Sequence, residues 1–297
     1  MKEGLTLEEM AAEITRQSRL KEDYLVDTRS LQMEPYDSQV YLHMFDGNTE
    51  PVEPMQVNTI AHRQIGTHLK IPAPYYDRML TEKPELLAAN VNTWLRHSPS
   101  KRLLRTMGGT ARAFLSNRYR RIDNMEIATA VLPIIGQMEG ARFESCQITD
   151  SRMYMKVVNT RLEAEVVPGD IVQAGVIISN SETGMGAVSI QPLVYRLVCS
   201  NGMIVNDAQT RRNHVGRVND MEESFQLYSE KTLAADDRAF ILKIQDTVRA
   251  AVEEARFAQV VGMMQDATKA EMNTKDVPGI VRLASREFHI TDDEGEG

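Results

Sequence analysis

The chain has 297 residues, of which 42% are hydrophobic and 26% charged, with a formal net charge of −8 at pH 7. This is an ordinary globular composition, long enough for one large or two ordinary domains and for a core that needs neither disulfides nor a metal. No apolar run approaches a membrane span, and the charged N-terminal stretch MKEGLTLEEMAAEITRQ lacks the apolar centre and cleavage site of a secretory signal, so a cytoplasmic protein without a membrane partner is expected.

In chain order, Leu7, Met10, Ala11, Ile14 and Leu20 fall near one face of a helix predicted over residues 5–23. QVYLHMF, from Gln39 to Phe45, reads as a strand closed by the Asp46-Gly47-Asn48 turn. Thr59 to Leu69 reads as a helix, broken by Ile71-Pro72-Ala73-Pro74 and followed by a second helix from Tyr75 to Leu80. That corner superficially resembles a helix-turn-helix, but ordinary helix packing produces the same pattern. A further helix from Pro84 to Arg96 carries the only tryptophan, Trp94. Lys101 to Met107 and Thr110 to Leu115 read as a hairpin turning at Gly108-Gly109, and Asp123 or Asn124 caps a helix running to Met138.

Residues 140–204 are the most strand-like part of the chain. RFESCQIT, RMYMKVVN, DIVQAGVIISN and AVSIQPLVYRLVCS are separated by turn clusters at a spacing that fits an antiparallel meander. From Asp220 to Met272 the pattern is helical, with a break expected near Asp236. Phe240, Ile241, Ile244, Val248, Val252 and Phe257 form a stripe that must pack on the sheet or on another subunit. The expected fold is therefore α+β: a central, mainly antiparallel β-meander with flanking helices and a long helical C-terminal arm. Residues 1–85 form an N-terminal helical or mixed region, 86–219 a β-rich core with a basic hairpin, and 220–297 the arm and a flexible acidic tail, TDDEGEG.

Charge is unevenly spread. Between Leu86 and Ile122 there is no Asp or Glu, while the same window holds Arg96, Lys101, Arg102, Arg105, Arg112, Arg118, Arg120 and Arg121. Phe114 and Tyr119 interleave with these cations, and Arg211 and Arg212 extend the set. Arginines lining a groove displace counterions from a phosphate backbone, and interleaved rings offer stacking surfaces for unpaired bases. The opposing expectation is that these arginines pair with the protein's own carboxylates.

Other chemistries are poorly supported. Cys146 and Cys199 give no disulfide framework or metal-ligand spacing, the histidines are scattered, and no cofactor motif is present. Cys199 precedes Asn201 and His214, an order compatible with a cysteine-dependent enzyme, but CSNG also reads as a strand end followed by an Asn-Gly turn. NSETGMGAV lacks a phosphate-loop lysine and reads as a hairpin loop.

Three stretches in order, RAFLSNRYRRIDNMEIATAVLPII, NSETGMGAVSIQPLVYRLVCSNGMIV and RRNHVGR, resemble the uncharacterised phage/plasmid-like protein family, as does the earlier IGTHLKIPAPYYDRML. The resemblance spans roughly Ile60 to Arg217 and implies a domain of unknown function carried by phages, prophages and conjugative plasmids. It carries over no catalytic residues. In that context the basic segment, small antiparallel sheet, helical arm and acidic tail are similar at fold level to single-strand annealing recombinases. The expectation is a non-enzymatic, phage-encoded, oligomeric protein that binds single-stranded DNA in recombination or replication. Its site would comprise Lys101, Arg102, Arg105, Arg112, Phe114, Arg118, Tyr119, Arg120, Arg121, Arg211 and Arg212. Two alternatives stand beside it: a host-interaction or structural protein engaging a host partner through the acidic tail, and a cysteine enzyme using Cys199 and His214.

Overall fold

The computed structural model describes residues 5–37, 39–45, 53–197, 202–204, 210–212 and 230–269. It is an α+β protein with two mostly antiparallel sheets flanked by helices.

Helix α1 (Leu7–Leu20) opens with a capping box between Thr6 and Glu9 and ends where β1 (Lys21–Asp27) begins. After a single 3-10 turn come β2 (Leu31–Tyr36), β3 (Gln39–Met44) and β4 (Met55–Val57). Three helices follow, α2 (Thr59–His68), α3 (Ala73–Glu82) and α4 (Pro84–His97), and then the hairpin β5 (Lys101–Met107) and β6 (Thr110–Ser116). These six strands form the first sheet, in the order β1-β5-β6-β4-β3-β2, with only the β4–β6 pair parallel. Its inward residues, among them Leu31, Met33, Leu42, Leu104 and Phe114, pack against Ile65, Tyr76, Leu87, Val91 and Leu95 of the three helices. The α2–α3 corner is a packing corner: Tyr76 is buried and lies so close to Gly66 that a Cβ there would meet its ring at 3.0 Å.

Helix α5 (Asn124–Gly136) leads into the second sheet. Strands β7 (Ala141–Ile148), β8 (Met153–Glu165), β9 (Ile171–Asn180), β10 (Val188–Arg196) and β11 (Gly202–Ile204) form the meander, and β12 (Thr210–Arg212) pairs back on β10. Helices α6 (Glu230–Ala251) and α7 (Glu254–Lys269) complete the described chain. Phe240, Ile244 and Val248 of α6 are buried with Met10 and Ile14 of α1 and Ile127, Val131 and Ile135 of α5, all against Met155, Val157, Val176, Ile178, Val188 and Ile190 of the sheet. The apolar stripe of the arm thus covers its own sheet. Its interruption falls at residues 252–253, not near Asp236.

The sequence reading also carries the first helix too far. KEDYLVD is strand β1 because each residue meets β5, with Asp23 directly opposite Arg105 and Asp27 opposite Lys101. Strand β2, which the reading did not include, alternates buried Leu31 and Met33 with half-buried Gln32 and Glu34 and tolerates Pro35 because it is an edge strand. Among the described residues no helix is long and apolar enough to cross a membrane.

At Gly175, mid-strand in β9, a Cβ would lie 2.6 Å from the Val157 backbone oxygen and 3.3 Å from a Val158 methyl. Backbone cannot step aside as a flexible side chain can, so Gly175→Ala is expected to destabilise the protein by about 1–3 kcal/mol. Urea denaturation of the full chain, read by circular dichroism, measures it.

Candidate functional site

Five of the eight cations between Leu86 and Ile122 fall into two environments. The first is the seam between the sheets. The β9–β10 connection turns inward, so that Ser181, Glu182 and Thr183 are buried. Gly184 sits at φ +76° with Leu115 so near that a Cβ would meet it at 2.7 Å. Tyr119 Oη donates to the Ser181 carbonyl (2.9 Å) and Gln64 Nε2 to that of Thr183 (2.7 Å), while Gln64 Oε1 accepts from the Phe114 N–H (2.7 Å).

Around this loop lies a network of ion pairs. Arg105, fully buried, donates from Nε and Nη2 to Asp23 (2.7 and 3.1 Å), from Nη2 to Asp123 (2.7 Å) and from Nη1 to the Glu182 carbonyl (2.9 Å). Arg112 reaches Glu182 at 2.6 Å, Lys21 bridges Asp123 (2.6 Å) and Glu182 (3.4 Å), and the Asn124 N–H donates to Glu182 (2.7 Å). Burial alone would push the Arg105 guanidinium down, but Asp123 and Asp23 outweigh it and hold it above its ordinary value. Burial would likewise raise the Asp123 carboxyl, and Arg105 and Lys21 hold it below the usual range.

The second environment is a groove of about 600 Å³ at the far end of the first sheet, lined by His68, Lys70, Ile71, Pro72, Tyr75, Asn90, Trp94, His97 and Ser98 among others, none of them acidic. Its rim carries two aromatic rings, Tyr75 at 45% and Trp94 at 44% exposure, the latter edge-on to His97. Lys70 projects from the end of α2 in a left-handed conformation, φ +55°. The Lys70 N–H bonds to Thr67 (3.2 Å) and that of Ile71 to Gly66 (2.9 Å), the double closure in which glycine is the usual residue. A lysine held in this conformation costs about 1 kcal/mol.

Behind His68 lies Arg102, its guanidinium carbon 5.4 Å from the centre of the Phe114 ring and its Nη2 2.5 Å from His68 Nδ1. Ser100 Oγ is 3.3 Å from the other ring nitrogen, Nε2. Exposed Lys101 begins β5 beside them, and exposed Arg118 follows β6 at the same end of the hairpin. Helices α2 and α4 end here and α3 begins, leaving roughly half a unit of negative helix charge. Lys70, Lys101 and Arg102 outweigh it, and the nearby carboxylate of Asp27 is taken by Arg29.

Of the residues predicted to line a nucleic-acid path, Lys101, Arg102 and Arg118 therefore share one end of the first sheet. Phe114 lies buried under Arg102 and His68, with a ring that cannot stack on a base. Arg105, Arg112 and Tyr119 are buried at the seam, held by ion pairs and a hydrogen bond. Arg120 turns to Asp237 and Asp236 at 2.5 and 3.6 Å, and Arg121, exposed, approaches Asp23 at 3.6 Å. Arg211 is exposed on the second sheet opposite Ser189, while the side chain of Arg212 lies outside the described residues. So do Cys199, His214 and the acidic tail. Cys146 is a buried free thiol, pushed up by burial, and no cluster of metal ligands exists among the described residues. The sequence reading missed His68, Lys70, Tyr75 and Ser100; its one signal there was the unusual IGTHLKIPAPYYDRML corner, which it assigned to packing.

A family model described as a domain of unknown function, DUF932, matches residues 113–296, more than half of the chain. The protein belongs to this family. No curated protein and no solved structure matches it. The DUF932 match begins within β6 and takes in α5, the second sheet and Glu182, while the lining of the groove falls outside it.

Two outcomes follow for this DUF932 protein. Arg105→Ala strands Asp23 and Asp123 without their buried counter-charge and is expected to cost about 3–5 kcal/mol in chemical denaturation. His62 and His68 are both held down to about 4, chiefly by burial, with Arg63 adding to the first (against Asp77) and Arg102 to the second. The unfolded chain titrates them near 6.5, so it binds more protons between those values, and this contribution to stability is full above about pH 6.5 and lost as pH falls toward 4. Urea midpoints should decline over that window, and replacing both histidines by glutamine should flatten the decline.

Proposed function

We propose that this protein binds single-stranded nucleic acid without catalysing a reaction, and that the strand lies in the groove between the ends of α2 and α4. The observation that carries this reading is the pairing of two exposed rings, Tyr75 and Trp94, with a lining that holds Lys70, His68 and His97 and no carboxylate. Exposed rings stack on unpaired bases of any sequence, and flanking cations contact the backbone. The groove's volume suits one or two nucleotides at a time. Lys101 and Arg118 would continue the backbone track along the end of the sheet. A phage or other mobile element as the source, and a role in recombination or replication, fit the resemblance of the ordered sequence stretches.

Lys70 supports the reading independently. A side chain held where glycine would cost less suggests selection for the charge at that point.

The test is fluorescence anisotropy of a labelled single-stranded oligonucleotide and its duplex with the full chain, at low and moderate salt. Saturable, salt-sensitive binding that prefers the single strand is expected. Trp94→Ala should weaken it about tenfold or more. Lys70→Gly should weaken binding and reduce its salt dependence while leaving the fold as stable or about 0.5–1 kcal/mol more so. No binding at low salt would overturn the proposal.

A further inference from the structure

A half-buried carboxamide, Asn90, lines the groove together with the two exposed rings. Asn90 and Trp94 are four residues apart on α4 and so share one face of it. Tyr75 and Met79 are likewise one turn apart on α3. Asn90 Nδ2 reaches the Met79 thioether at 3.9 Å, which turns the carboxamide toward α3, between the helices that carry the two rings. A thioether is a weak acceptor, and Asn90 Oδ1 meets no donor among the described residues. The amide therefore keeps most of its hydrogen-bonding capacity for whatever enters the groove.

Rings alone do not choose between bases, because every base has a face to stack. Choice comes from the base edges. Among the lining side chains only Asn90 holds a donor and an acceptor side by side. Lys70 can only donate, Ser98 offers a single hydroxyl, and His97 carries its two nitrogens on opposite sides of the ring. Both ring nitrogens of His68 are already engaged, by Arg102 and Ser100. A carboxamide fits an edge on which a donor stands next to an acceptor. Adenine presents that pair on both its Watson–Crick and its Hoogsteen edge, through the N6 amino group with N1 or N7. The pyrimidines present it on one edge only. Guanine's Hoogsteen edge holds two acceptors, the usual target of arginine, and no arginine lines the groove.

We propose that Asn90 reads the base held against Tyr75 and Trp94, and that the groove prefers adenine. The inference rests on the reading of the groove as a nucleic-acid site and adds which base it selects. The rings and Lys70 supply binding that is blind to sequence, and Asn90 supplies the discrimination.

Trp94 is the only tryptophan of the chain, so its fluorescence reports occupancy of the groove directly. The full chain is titrated with short labelled thymine strands whose central positions carry adenine, guanine, cytosine or thymine, and Trp94 quenching is followed beside anisotropy. The adenine strand is expected to bind about tenfold more tightly than the thymine strand. Asn90→Ala should bring the adenine strand to the affinity of the thymine strand and leave binding and quenching by the thymine strand nearly unchanged. Alanine suits a helix at least as well as asparagine, so the variant keeps α4. Asn90→Gln, which retains the amide, should keep part of the preference. A merely structural Asn90 would weaken all four strands alike.

Equal affinities for the four strands, a preference for another base, or an adenine preference that survives in Asn90→Ala would overturn this inference and leave the groove reading intact. Anisotropy that rises without quenching of Trp94, or no binding of any strand, would overturn the groove reading and the base preference with it.

Discussion

The architecture depends on one buried guanidinium. Arg105, with no exposed surface, joins Asp23 on β1, Asp123 at the cap of α5 and the Glu182 carbonyl in the loop between β9 and β10. Those three partners belong to the first sheet, the helix between the sheets, and the second sheet. Lys21, Arg105 and Arg112 balance Asp23, Asp123 and Glu182 charge for charge, which is the condition under which so many ions can leave water together. An apolar seam of the same volume would hold the sheets as well. What ions and directed hydrogen bonds add is a unique register, because a shifted loop would strand several buried charges at once.

This arrangement divides the basic segment. In sequence it is an unbroken run of cations without a carboxylate, and it looks like one surface. In the folded protein the alternation of β5 sends Arg105 into the seam and Arg102 to the helix-covered face. The bulge at Arg105/Thr106 in the β5–β6 pairing lets Arg112 join Arg105 on the seam side. Carboxylates that meet these arginines come from residues 23, 123 and 182, far away in the chain. Arg102, three residues before Arg105, meets no such carboxylate among the described residues and is left with a histidine and an aromatic face.

Much of the local structure was legible. Helices α2, α4 and α5, the Gly108-Gly109 hairpin and the meander from β7 to β10 follow from periodicity, caps and turn residues acting over a few positions. β1 was not legible, because KEDYLVD has little strand character apart from its pairing with β5, and that pairing is made across some eighty residues. The NSETG loop reads correctly as a connection. Its burial could not be read, because a polar loop enters a core only when partners such as Arg105, Tyr119 and Gln64 are delivered by other elements.

The sequence by itself therefore determined the α+β class, most element positions and the charge asymmetry, since each is written in short-range pattern and composition. The tertiary structure alone decided which cations are interior and which reach solvent. It also decided that Phe114 is buried and Trp94 exposed, and that His68 and Ser100 meet beside Arg102. The physical reason is that the fate of a charge depends on whether a counter-charge is brought within a few ångströms, and only the packing of distant segments settles that.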